Sequence, residues 1–213
     1  MFEGTVDVSG STVKVDNADK LDNLYQIARR AKDDNNSENA AKYYDMILVE
    51  DPKSWEASFY VVYFKAVSCK IAYIQASANS INNCLDSVLN LIKTQVEESE
   101  QLSAVIEVAF RYQMASKMLF DGAKKHYYGI NYEIRKNYTQ EWLNNSCAAR
   151  DILYTLGNQI HAIFGSEKAY QELAISAWRF GIKTHNELFP NFGNKEDNKR
   201  IIQGYTKKII SCI

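Results

Sequence analysis

The sequence predicts an all-α protein, and three observations carry that expectation. Among 213 residues there are only 2 Pro and 9 Gly, too few turn formers for a sandwich, a barrel or a collagen-like chain. From Asn17 onward the apolar residues recur at spacings of three and four, the period of a helix buried along one face. Between the periodic runs stand short polar breaks that carry helix caps and stops. The arrangement expected is about eight helices stacked as antiparallel pairs in one domain over residues 17–213. A chain of this length buries about 70% of its unfolded surface, so it needs no metal or disulfide to hold a core.

Residues 1–16 stand apart. Val6, Val8, Val13 and Val15 alternate with polar residues around Ser9-Gly10-Ser11. This is the period-2 pattern of a small hairpin or an extended arm, which is marginal on its own. Asn17 then caps a first helix to about Asp33, with Leu21, Leu24, Ile27, Ala28 and Ala31 on one face. Asp33-Asp34-Asn35-Asn36 breaks it. Ser37 is expected to cap a second helix with the stripe Ala40, Ala41, Tyr44, Ile47 and Leu48. Pro52 ends it, because the residue before a proline avoids helical angles. Ser54 caps a third, through Trp55, Phe59, Val62 and Tyr63. A fourth carries Ile81, Leu85, Val88 and Ile92.

A long fifth helix runs from about Glu98 to Tyr128. It has Leu102, Val105, Ile106, Ala109, Tyr112 and Leu119 on one face, and Val108, Phe110, Met114 and Met118 on another. Burial on more than one side is the expectation. Thr139 begins a sixth, through Trp142, Leu153, Leu156, Ile160 and Phe164, and Gly165 stops it. Ser166 is expected to cap a seventh, with the stripe Tyr170, Leu173, Ala174, Ala177, Trp178, Gly181, Ile182, His185, Leu188 and Phe189. Pro190 ends it. Asn194 caps the last, with Ile201, Ile202, Tyr205 and Ile209.

The first two helices carry a repeat-like spacing. Counting about 34 residues back from Pro52 starts a unit near Leu21. Leu24 and Ile27 then fall at large apolar positions, Ala28 and Ala40 at the small positions where two helices cross, and Tyr44 at an aromatic position four residues on. Small residues at a crossing let the helices approach, and the proline forces the next turn. On these residues the segment resembles a tetratricopeptide repeat (TPR). Ala31 stands where the family has Tyr, and Ile47 where it has Ala. The resemblance implies a TPR-like superhelix whose inner groove binds peptides or proteins. A weaker echo runs from Leu153 through Leu156-Gly157 to Ala169 and Leu173, without the proline. The stretch Leu21 to Gly129 also resembles the helical region of uncharacterised bacterial proteins, some of which carry an upstream zinc ribbon. No such ribbon occurs in this chain, and that resemblance implies that residues 1–16 are a linker.

Charge and motifs narrow the function. The chain holds 25 Lys+Arg and 26 Asp+Glu, a net of −1, which argues against a uniformly basic nucleic-acid binder. The charge is uneven: residues 1–121 sum to −6 and residues 122–213 to +5. Such halves can attract head to tail, so a homo-dimer is one expectation. Cys69, Cys84, Cys147 and Cys212 form no CxxC pair, so reduced, mostly buried thiols are expected, with Cys212 the exposed one. The N-terminus lacks the apolar core of a signal peptide. The longest charge-free runs, 71–85 and 152–166, are too short and polar to span a bilayer. Together these point to the cytoplasm, without a membrane. His126, His161 and His185 stand in no HExxH, so neither a metal nor a cofactor is expected. No phosphate-binding glycine loop and no nucleophile elbow occurs, so an enzyme is not expected.

Two candidate surfaces remain. In a TPR-like groove the inner faces present Tyr25, Arg29 and Lys32 from the first helix and Phe59, Tyr60 and Tyr63 from the third. Aromatic bodies with polar tips beside an Arg are what peptide hot spots use. The family's carboxylate clamp needs Lys and Asn where this chain has Tyr25 and Arg29, so chaperone-tail binding is not implied. The alternative is a nucleic-acid or anionic-ligand binder at Lys124, Lys125, His126, Tyr128, Arg135 and Lys136, where aromatics alternate with cations.

Overall fold

The computed structural model describes residues 17–165, 167–189 and 192–212. The expected arm at 1–16, the cap at Ser166 and the stop at Pro190 lie outside the described residues. The described chain is all-α and contains no strand. Its long helices are α1 (Asn17–Asp33), α2 (Ser37–Glu50), α3 (Trp55–Val67), α4 (Ile74–Gln95), α5 (Glu98–Gly129), α7 (Thr139–Phe164), α8 (Lys168–Leu188) and α9 (Lys195–Ile210). A single turn, α6 (Tyr132–Arg135), and a 3-10 turn at Lys136–Tyr138 join α5 to α7. A second 3-10 turn at Ile71–Tyr73 leads into α4.

Each long helix packs on the next, and three contacts skip one long helix: α3 with α5, α4 with α7, and α5 with α8. Two-residue to four-residue breaks at 34–36, 51–54 and 96–97 turn the chain back on itself. Ala28 and Ala40 are both fully buried, and α1 packs on α2. The core runs on through Tyr44, Ile47, Tyr60, Ile81, Leu85, Tyr112, Leu156 and Trp178. Helix α7 is its centre, since it packs against α4, α5 and α8.

Several expectations change. Asn36, not Ser37, caps α2, its side chain accepting from the Asn39 N–H at 3.2 Å. Asn35 adopts the left-handed region at φ 56°, which shifts the cap by one residue and which Asn tolerates better than most. Ser54 and Asn194 cap α3 and α9 as their chemistry dictates, accepting from Ala57 N–H at 3.1 Å and Glu196 N–H at 2.8 Å. Gly165 ends α7 at φ 72°. Ile27 and Ile106, assigned to buried stripes, are exposed. Helix α5 is not buried on its second face: Val108 is, but Phe110, Met114 and Met118 are exposed, because among the described residues no helix covers that side. Cys212 is buried, its Sγ 3.7 Å from His161 Nδ1. The turn α6 carries no local apolar period to announce it.

Candidate functional site

A cleft of about 520 Å³ lies between α1, α3 and α5. Arg29 and Lys32 reach it from α1, Trp55, Glu56 and Tyr60 from α3, and Glu100, Ser103 and Glu107 from α5. Two carboxylates organise it. Glu56 is buried at the start of α3, a position favourable for a negative charge. Arg29 grips it with both prongs of its guanidinium, Nε to Oε1 at 3.0 Å and Nη2 to Oε2 at 2.6 Å. Tyr44 Oη donates to Oε1 at 2.7 Å. One carboxylate thus ties α1, α2 and α3 together, and bidentate charge-assisted bonds are the strong kind.

Glu107 is the second organiser. It accepts from the Tyr60 hydroxyl and from Arg111 Nε at 3.0 Å, with Lys32 Nζ at 3.9 Å. Partial burial pushes its carboxyl up, but the Tyr60 and Arg111 hydrogen bonds outweigh this and hold it below the usual glutamate value. Tyr60 moves the opposite way, raised by burial and by the adjacent carboxylate. Lys32 Nζ and the Arg111 guanidinium stand over the Tyr60 ring at 5.0 and 5.8 Å, in cation–π range.

Of the six side chains expected to form a groove, Arg29 and Lys32 line this cleft, and Tyr60 lies in its wall but is fully buried, its hydroxyl taken up by Glu107. Tyr25 stands beside it, its Oη donating to Ser54 Oγ at 2.6 Å and its ring 5.0 Å beneath Arg29. Phe59 and Tyr63 are buried under α5. Phe59 stacks on Tyr112 of α5 at 5.8 Å, and Tyr63 sits against Arg111. With Tyr60 fully buried as well, none of the three α3 aromatics presents a surface to a partner, and this corrects their assignment to the groove. Glu56, Glu100 and Glu107 had not been assigned to it. The available signal was charge on apolar helices: Glu56 lies one turn before Tyr60, and Glu107 and Arg111 form an i,i+4 pair among buried residues.

The basic stretch behaves differently. Arg135 donates to the Ile130 carbonyl at 3.0 and 3.2 Å and to the Tyr128 carbonyl at 3.0 Å. It therefore closes the C-terminal end of α5, a favourable place for a cation. Tyr127 stacks on Trp142 at 4.6 Å and is buried. Lys125, His126, Tyr128 and Lys136 are exposed and Lys124 half-buried, so most of the patch faces solvent while its guanidinium is committed to the fold.

A third polar cluster joins α7, α8 and α9. Arg150 is buried, binds Asp151 Oδ1 at 2.6 and 2.8 Å, and lies 2.9 Å from His185 Nδ1. A guanidinium only donates, so Nδ1 must accept and the imidazole proton sits on Nε2. That Nε2 is buried with no hydrogen-bond partner among the described residues. Burial, then the neighbouring guanidinium, pulls the His185 pKa down to about 4. Among the described residues no group of three or more His, Cys, Asp or Glu side chains is placed to hold a metal ion. No helix there is long and apolar enough to cross a membrane. Comparison with known proteins finds no matching family model, no matching curated protein and no matching solved structure.

Proposed function

We propose that this chain is a non-enzymatic helical scaffold that binds a peptide or protein segment in the α1–α3–α5 cleft, with α1 to α3 following a TPR-like plan. The observation that carries the reading is the cleft itself. It holds about 520 Å³, and Arg29 with Glu56, and Lys32 with Glu107, are already fixed in place by each other. Preorganised side chains lose little entropy on binding, which favours recognition. The two carboxylates are engaged by Arg29, Arg111, Lys32 and tyrosine hydroxyls, an arrangement suited to holding and orienting. Exposed Glu100 at one wall and the outer edge of Arg29 at the other suit an extended segment bearing both a cation and a carboxylate. The buried Ala28 and Ala40 and the α1–α2–α3 stacking order support the TPR-like part of the reading.

Selection of peptides from a random displayed library, followed by calorimetry, tests it. Selected peptides should bind the native chain and lose at least about tenfold in affinity to Arg29→Ala and to Glu100→Arg. Peptides that bind all three proteins equally would place recognition elsewhere. The alternative, anion or nucleic-acid binding, draws on the exposed Lys125 and Lys136, which make no ion pair among the described residues. Its test is a mobility shift with single-stranded RNA at low salt, where phosphate contacts are strongest. A shift abolished by Lys125→Glu with Lys136→Glu would favour it over the peptide reading.

A further inference from the structure

We propose that two copies of the chain associate through α5, laid side by side and antiparallel. The starting point is the uncovered face of that helix. Ile106, Phe110, Met114 and Met118 are 47%, 54%, 37% and 46% exposed. They follow one another at intervals of four, so they form one continuous strip. Scattered exposed apolar residues are ordinary, but a contiguous strip of four large ones marks an interaction surface.

The charge on the same helix says what covers it. The N-terminal end of α5 carries Glu98 and Glu100, with Glu97 just ahead of it. The C-terminal end carries Lys124, Lys125 and His126. A parallel second copy would set like charges together. An antiparallel copy sets each acidic end beside the partner's basic end, twice over by symmetry. One register serves the apolar strip as well. Centred on Tyr112, it places Phe110 over the partner's Met114 and Ile106 over the partner's Met118. Apolar and electrostatic patterns therefore select the same occupant, a second copy of this chain. The apolar strip is separate from the cleft, although Glu100 at the acidic end of α5 also stands at the cleft wall.

Sedimentation equilibrium of the full chain across a concentration series tests it. The expected result is a reversible monomer–dimer equilibrium at micromolar concentrations, weakened at about 0.5 M salt because the end charges are then screened. Phe110→Asp with Met114→Asp should return the chain to a monomer with its helical circular dichroism unchanged, since both side chains are exposed. Lys124→Glu with Lys125→Glu should weaken association about tenfold or more, and adding Glu97→Lys with Glu98→Lys should restore it, because the reversed ends again match. A monomer at every concentration would overturn the proposal. So would a dimer indifferent to Phe110→Asp with Met114→Asp, which would use another surface or partner helix. A charge reversal that the compensating pair fails to restore would rule out the antiparallel register.

Discussion

At the scale of single residues, two glycines decide how close helices come. At Gly157 a Cβ would stand 2.6 Å from Cε2 of Trp178, and at Gly181 it would stand 2.7 Å from Cζ of Tyr205. Both rings belong to neighbouring helices, α8 over α7 and α9 over α8. A methyl there forces a packed aromatic outward, so Gly157→Ala and Gly181→Ala should each cost about 1–3 kcal/mol in urea unfolding. Gly204 has nothing within 4 Å, and Gly204→Ala should gain about 0.5–1 kcal/mol from helix propensity alone. Three alanines of one kind thus separate close approach from backbone freedom. His185 supplies a second residue-scale test. Its folded pKa near 4 lies below the ordinary 6.5. Between these values the unfolded chain binds more protons than the folded one, so stability rises with pH. The contribution is complete above about 6.5 and is lost as pH falls towards 4, on the order of 3 kcal/mol over the window. His185→Gln removes the titrating group, and melting temperature should then fall less steeply from pH 7 to pH 4.5.

At the scale of elements, Glu56 behaves as a joint between three helices. Its partners Arg29 and Tyr44 come from α1 and α2, so Glu56→Ala should destabilise the α1–α3 unit by about 2–3 kcal/mol, leaving the Tyr44 hydroxyl buried without a partner. A double-mutant cycle with Arg29→Ala should show a coupling of about 1 kcal/mol or more. Strictly additive effects would mean that the pair holds nothing. What the sequence disclosed at this scale follows the range of the interaction. The caps at Ser54 and Asn194 act within three residues and were readable, whereas the Asn36 cap was displaced by the left-handed Asn35. The packing of α1 on α2 and the burial of Ala28 and Ala40 were readable because the loop between the two helices is short. Burial of Phe59 and Tyr63 was not, since α5, some forty residues further along the chain, covers them. The same holds for the Lys32–Glu107 side of the cleft: no local spacing records a contact between α1 and α5. The helical character of α5 was legible, but its faces were not: Ile106 belongs with the exposed Phe110, Met114 and Met118, and Val108 with the buried side, because which face stays bare depends on where the other helices stop.

At the scale of the molecule, the packing order sets where the fold opens first. Helix α7 meets α4, α5 and α8, and most of its inward side chains are fully buried. Helix α9 packs on α8, with Tyr205 its one fully inward ring, edge-on to Tyr154 at 5.1 Å. Its outer residues Lys199, Arg200, Gln203, Thr206, Lys207 and Ile210 are exposed. Stacked helical pairs hold each unit mainly by its neighbours, so α9, packed mainly on α8 and touching α7 through Tyr205, has less to lose by leaving than the helices at the centre. Native-state hydrogen exchange in increasing urea should therefore show α9 amides opening at a free energy well below that of α7, α4 and α5. Tyr205→Ala should release α9 further while leaving the α7 amides little changed, because the ring anchors α9 without completing the α4–α5–α7 core. Equal opening energies for α9 and α7 would instead make the molecule one cooperative unit, with the buried Arg150–His185 contact transmitting the loss of α9 through α8 to the centre.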